Sequence, residues 1–310
     1  MRVDKFQIEV TTGRFTLPVV ILVCLFLWLV SIRHWGDWVS MGIVVAISYV
    51  MIEINTAFSL IRVRTAYPVC MYAFLASSMF FLHPYGVSSW APLAFLLAVS
   101  QLFASFESSS ASAYIFNTFF FLSLGTLAWP QMIYFCPLFL LGMIPFRSMS
   151  AKTLMAALLG LFTPYWFLFG YAVWFDQMSL FYAPWMGMVQ FYPIGYGHLG
   201  WNEIASWVIT GLLLVIGCVH FWQVAYMDRT RTRIYHSFLT FVGLFALLFS
   251  ILQPSFLHEL MQMELICASF LMGHLFTLTR NRFSGILFMV TFVVFILFSL
   301  YNLWMLFFSF

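Results

Sequence analysis

Four ionisable residues stand inside long apolar runs, where an uncompensated charge is costly and needs a reason. Glu53 lies in Val50-Met51-Ile52-Glu53-Ile54-Asn55, Glu264 in Met261-Gln262-Met263-Glu264, and His220 and His274 fall towards the ends of their runs. Carboxylates and imidazoles at such depth relay protons or line polar paths; the same groups also clamp helices together by hydrogen bonds. Glu264 and His274 are ten residues apart on one run, about 15 Å of helix rise, so they do not pair with each other. By depth alone, Glu53 could meet His220 or His274.

A second group lies between the runs. Asp37 is the only acid in Arg33-His34-Trp35-Gly36-Asp37-Trp38, the segment that directly follows the first apolar run. The long segment Asp176–Glu203 carries Phe181, Tyr182, Trp185, Phe191, Tyr192, Tyr196 and Trp201. Such faces stack on sugar rings, with His198, Asp176 and Glu203 as polar partners. They equally compose an interfacial aromatic belt. Glu203 beside Asn202 also sits where a helix cap and a favourable dipole charge belong. Asp37 and His198 are the catalytic candidates, and whether the chain is an enzyme stays open at this point.

The elements that must position these residues follow from composition. Hydrophobic residues are 64% of the chain and charged ones only 7%, against about 25% charged in soluble domains. The chain therefore takes lipid as its main solvent. A net charge of +3 with scattered basic residues excludes nucleic acid as a partner. The five cysteines lie in apolar runs without CxxC spacing, and HExxH, GxSxG, P-loop and dinucleotide motifs are absent. No metal and no cofactor is expected.

Reading apolar runs against a span of about 20 residues gives eleven segments. They are 15–32, 39–60, 67–82, 88–106, 114–129, 130–146, 154–175, 204–226, 238–252, 257–279 and 283–310. The first ends in Arg33-His34-Trp35 without a small-residue cleavage site and reads as a retained span. The runs are continuous rather than alternating, so they are helices, not barrel strands. The expected fold is an all-α polytopic bundle, one integral membrane domain over residues 1–310. The short pairs 67–106 and 114–146 leave nine spans as the alternative.

Orientation follows from Lys and Arg, which are retained on the cytoplasmic side. With the N-terminus inside and the C-terminus outside, twelve of the thirteen basic residues fall on the inner side: Arg2, Lys5, Arg14, Arg62, Arg64, Arg147, Lys152, Arg229, Arg231, Arg233, Arg280 and Arg282. Only Arg33 falls outside. Removing a whole pair of spans leaves every later loop on its side. Asp228-Arg229-Thr230-Arg231-Thr232-Arg233 reads as a charged anchor between two spans.

Two resemblances accompany this reading. Arg64-Thr65-Ala66-Tyr67-Pro68, the stretch Ala76–Pro84 and Gly160-Leu161-Phe162-Thr163-Pro164-Tyr165-Trp166 resemble an uncharacterised family of bacterial polytopic inner-membrane proteins. That likeness implies the bacterial inner membrane and assigns no activity. The threading and Asp37 resemble multispanning glycosyltransferases that use polyprenyl-phosphate sugars, which implies a lipid-linked-sugar transferase with an outward site near Asp37. The chain departs from that pattern in its short first loop, its single acid there and its one outer basic residue. The leading expectation is a structural or assembly component that meets the lipid bilayer and other membrane subunits. A transporter or flippase with Glu53 in a polar pathway is the alternative from a different class.

Overall fold

The computed structural model describes the backbone of residues 2–279 and 281–308 and the side chains of residues 6–279 and 281–307. Expectations placed on Met1, Arg280, Phe310 and the side chains of Arg2 and Lys5 lie outside the described residues. Among the described residues there is no strand, and thirteen α-helices follow one another. The first seven are α1 (Arg2–Thr12), α2 (Thr16–Ser31), α3 (Trp35–Phe58), α4 (Tyr67–Ser78), α5 (Ala91–Ala104), α6 (Ala111–Ala128) and α7 (Cys136–Gly142). The rest are α8 (Ala151–Trp174), α9 (Met178–Met188), α10 (Trp201–Val224), α11 (Thr230–Leu252), α12 (Leu257–Leu278) and α13 (Arg282–Phe308).

Eight helices are long and apolar enough to cross a membrane, and a ninth span arises if α1 and α2, bent by 76°, count as one. Three of the eleven apolar runs yield less regular helix than their length suggests. The run 15–32 forms the 16-residue α2. The run 67–82 forms the 12-residue α4 and a 3-10 turn, Phe80–Leu82. The run 130–146 forms a 3-10 segment, Pro130–Phe135, and the 7-residue α7. Prolines at 130 and 137 sit in first turns and reset the local backbone. Irregular backbone survives in an apolar setting only where protein covers it. Both short segments meet that condition: Tyr72, Leu75 and Met79 in one, and Met132, Phe135 and Phe139 in the other, are fully buried.

The chain forms two compact units, residues 1–86 with 195–310 and residues 87–194. In the first, α12 is the axis. Its apolar window is wholly buried, because helices cover it on every side. Gly273 permits one of those approaches: a Cβ there would stand 2.4 Å from Pro68 Cγ of α4. Hydrogen bonds tie the elements at both ends of this unit. At one end Thr65 donates to the Thr11 carbonyl, Asn55 Nδ2 donates to Thr65 O at 3.0 Å, and Gln7 Nε2 donates to Phe276 O at 2.7 Å. At the other, His83 bonds Ser31 and stacks on Trp28 with centroids 3.6 Å apart, and Tyr196 donates to Ile251 O at 2.7 Å. Thus the segment from Thr65 to His83, although short in regular helix, runs from a bond with Thr11 to a bond with Ser31.

In the second unit α6 packs against α5 and α8. Gly160 of α8 allows a close approach, since a Cβ there would lie 2.4 Å from the Phe116 carbonyl oxygen. Glu107 and Arg147 both adopt left-handed backbone, φ 49° and 53°, and their side chains pair at 2.7 Å. The segment 130–146 therefore returns the chain to the end where α6 began. At the opposite end Gln131 Nε2 donates to Gly187 O and Tyr134 Oη to Met188 O.

Candidate functional site

One end of the first unit gathers three imidazoles near a single carboxylate. Asp228 lies in the turn between α10 and α11, and its side chain is 1% exposed. Its Oδ2 is 2.9 Å from His274 Nε2, and its Oδ1 is 2.5 Å from Arg62 Nη2. Arg62 also donates to the Met227 carbonyl. The His236 ring centroid lies 4.8 Å from that of His274, and the His220 centroid 6.0 Å from it. His236 Nδ1 donates to Thr232 O at 3.1 Å, a bond one helical turn back. His220 Nε2 meets Thr279 Oγ1 at 2.7 Å.

The local sequence explains this gathering. A basic run follows Asp228 and opens α11, and His236 in the second turn of that helix is fully buried. His220 and His274 arrive from the last turns of α10 and α12. An ionised carboxylate only accepts, so His274 donates from Nε2 and keeps a lone pair on Nδ1. His274 Nδ1, His236 Nε2 and His220 Nδ1 are buried without a hydrogen-bond partner. A carboxylate-oriented imidazole with a free lone pair can hold or pass a proton. The rings are neighbours but do not converge on a point. Among the described residues, no group of three or more His, Cys, Asp or Glu is arranged to hold a metal.

Glu264 is fully buried on α12, and its Oε1 accepts from Ser250 Oγ at 2.7 Å. Ser250 in turn accepts from Trp207 Nε1 at 2.9 Å, so α10, α11 and α12 are joined. Glu264 Oε2 has no partner. Glu53 does not meet either histidine. The buried face of α3 runs through Ile43, Ile47, Met51 and Ile54, and Glu53 is exposed on the bundle surface. At about 100° per residue, a position two beyond Met51 is turned away from that face. The acid that His274 meets is Asp228, and His220 bonds Thr279 instead.

Of the candidates between the runs, Asp37 and Glu203 are held by local bonds. Asp37 is buried, and its Oδ2 accepts from the backbone N–H of Arg33 at 2.9 Å and of His34 at 3.0 Å. It caps the start of α3. Glu203 likewise accepts from Gly200 N–H at 2.9 Å and meets His258 Nε2 at 3.0 Å. His198 is exposed on the loop before α10, and Asp176 is exposed with φ 52° after α8. Neither is brought to Asp37 by a hydrogen bond.

His236 and His258 have no role in the sequence reading, and Asp228 appears there only as part of an anchor. The one available signal was Asp228 itself, the lone acid in a basic run. Burial adds a further group: His83, 2% exposed, has its imidazole pushed down to about 4. Comparison with protein-family models, with curated proteins and with solved structures finds no match for this chain.

Proposed function

We propose that this chain is a multipass component of the bacterial inner membrane that acts in the assembly of a membrane complex. The observation that carries this reading is the position of Glu53. It continues an outward stripe of α3 formed by Val45 and Tyr49, at 60% and 62% exposure, and by Gly42, which has open space where a Cβ would stand. A carboxylate on a lipid-facing surface costs a few kcal/mol. A partner helix with a basic or hydrogen-bonding side chain removes that cost. Meanwhile Asp37, Glu203, Glu264 and Asp228 are engaged inside the first unit, as clamps and caps.

The proposed threading has eleven crossings with the N-terminus inside. It is supported by the end-to-end course of segments 65–83 and 130–146, and by the clustering of Arg62 beside Asp228 at the end opposite Arg33. Cysteines introduced at Arg62, Arg147 and Arg231 should resist an impermeant maleimide in intact cells, while one at Gln177 should react. Labelling of the first set from outside would reverse the orientation.

The assembly reading is tested by mass in mild detergent. The native particle should exceed the 36.0 kDa of one chain, and Glu53→Leu should reduce it to a single chain. A wild-type monomer would end this reading. A transport reading is favoured by the orphan nitrogens of His274, His236 and His220. It requires proton flux in reconstituted vesicles that His274→Gln abolishes.

A further inference from the structure

The end of the first unit that carries His83 also carries a recess of about 470 Å³, lined by Arg33, Asn202 and Asn302 with Phe80, Phe81 and Met305 among its apolar walls. Asn302, on α13, is 3% exposed, and neither its Nδ2 nor its Oδ1 has a hydrogen-bond partner. A buried amide left unsatisfied costs about 1–3 kcal/mol, so a lining group of this kind calls for an occupant. The Arg33 side chain is exposed, and its guanidinium is always charged.

The balance of charge says what the occupant is. Among the described residues, no carboxylate lines the recess. The nearest acids in sequence are engaged elsewhere: Asp37 accepts from the Arg33 and His34 backbone, and Glu203 is held by Gly200 and His258. The recess thus offers one cation and two amides capable of donating, beside aromatic and thioether walls. Arg33 is also the single basic residue on its side of the proposed threading, against the general retention of Lys and Arg on the other side.

We propose that this recess binds an oxyanion, a phosphate or carboxylate group, with the Arg33 guanidinium and the Asn302 amide as donors and Asn202 at the rim. A planar guanidinium matches such oxygens with two parallel bonds. The apolar walls suit the chain of an amphiphile, so the group is either a lipid headgroup or a free anion. The site is independent of the Glu53 face, which lies on another helix.

The test uses the purified full-length protein in detergent and three probes: dioleoyl phosphatidic acid, dioleoylglycerol and inorganic phosphate. Binding is read by native mass spectrometry and by the shift in Tm. Phosphatidic acid should bind at least about tenfold more tightly than dioleoylglycerol, a difference of ~1.4 kcal/mol. Silence from inorganic phosphate then assigns a lipid headgroup, whereas equal binding of inorganic phosphate assigns a free anion. Arg33→Gln and Asn302→Leu should each weaken the anionic probe about tenfold. Arg33 is exposed, so its variant keeps the fold and secures the comparison if Asn302→Leu fails to accumulate. Equal binding of phosphatidic acid and dioleoylglycerol with no phosphate binding would overturn the proposal. So would full binding by a folded Asn302→Leu protein, because surface charge alone would then explain the role of Arg33.

Discussion

Asp228 and His274 are 46 residues apart in sequence and 2.9 Å apart in space, with both side chains essentially removed from solvent. The contact joins the turn after α10 to the last turns of α12, and it brings Arg62 with it. A carboxylate in this position holds its histidine in one orientation and one tautomer. It also leaves a buried imidazole without a donor's partner if the carboxylate is removed.

Asp228→Leu should therefore lower stability by about 1–3 kcal/mol, the cost of leaving buried polar groups unsatisfied. Arg62→Gln should cost less, under about 1 kcal/mol, since the Arg62 side chain is 47% exposed and its ion pair is screened. Thermal unfolding in detergent ranks the two variants, and a larger loss at Arg62 would contradict the placement of the pair.

His83 makes stability depend on pH. Burial holds its imidazole at about 4 in the folded chain, below its ordinary value of 6.5. The unfolded state therefore takes up a proton first as pH falls, and the stability due to neutral His83 is complete above about 6.5. It declines between about 6.5 and 4, by a total of order 3 kcal/mol. His83→Phe keeps a ring against Trp28 and should flatten this part of the Tm-against-pH curve. A variant curve parallel to wild type over that range would remove His83 as its source.

Glu264→Met should leave Tm unchanged or raise it. The Ser250 bond to Oε1 contributes about 1 kcal/mol, whereas the orphan Oε2 costs about 1–3 kcal/mol, so burial of the carboxyl is not favourable on balance. Ser250 keeps its bonds to Trp207 and to the Leu247 carbonyl. A fall of more than a few degrees would show that Oε2 has a partner in the working protein.

Gly273→Val should be far more damaging than Gly170→Val. The first places a side chain 2.4 Å from Pro68 Cγ against the buried axis α12; the second meets nothing within 4 Å. Overpacking of this kind costs about 1–3 kcal/mol or more, and parallel expression with Tm measurement would show the difference.

The helical class was legible because lipid demands long apolar runs with internally bonded backbone, and both signals are carried by residue type alone. Glu203 was legible as a cap, since capping is local. Glu53 was misplaced because apolarity on every face of α3 gives no period from which its buried side can be read. The runs 67–82 and 130–146 stood out as short, but how much regular helix each holds was not legible, because apolar composition does not report whether lipid or protein covers a segment. Asn302 carried no signal at all, because a lone amide in an apolar run becomes conspicuous only when its neighbours prove unable to bond it.

Sequence by itself determined an all-helical chain suited to a membrane, and it singled out the few polar groups that such an environment makes expensive. Only the tertiary structure decided which of them meet. It turned Glu53 outward, assigned Asp37 to a helix cap, joined Asp228 to His274, and set Arg33 beside a buried, unpartnered Asn302. The physical reason is range. Hydropathy is a sum over neighbours along the chain, while a hydrogen bond of 2.9 Å depends on how two distant helices are rotated against each other.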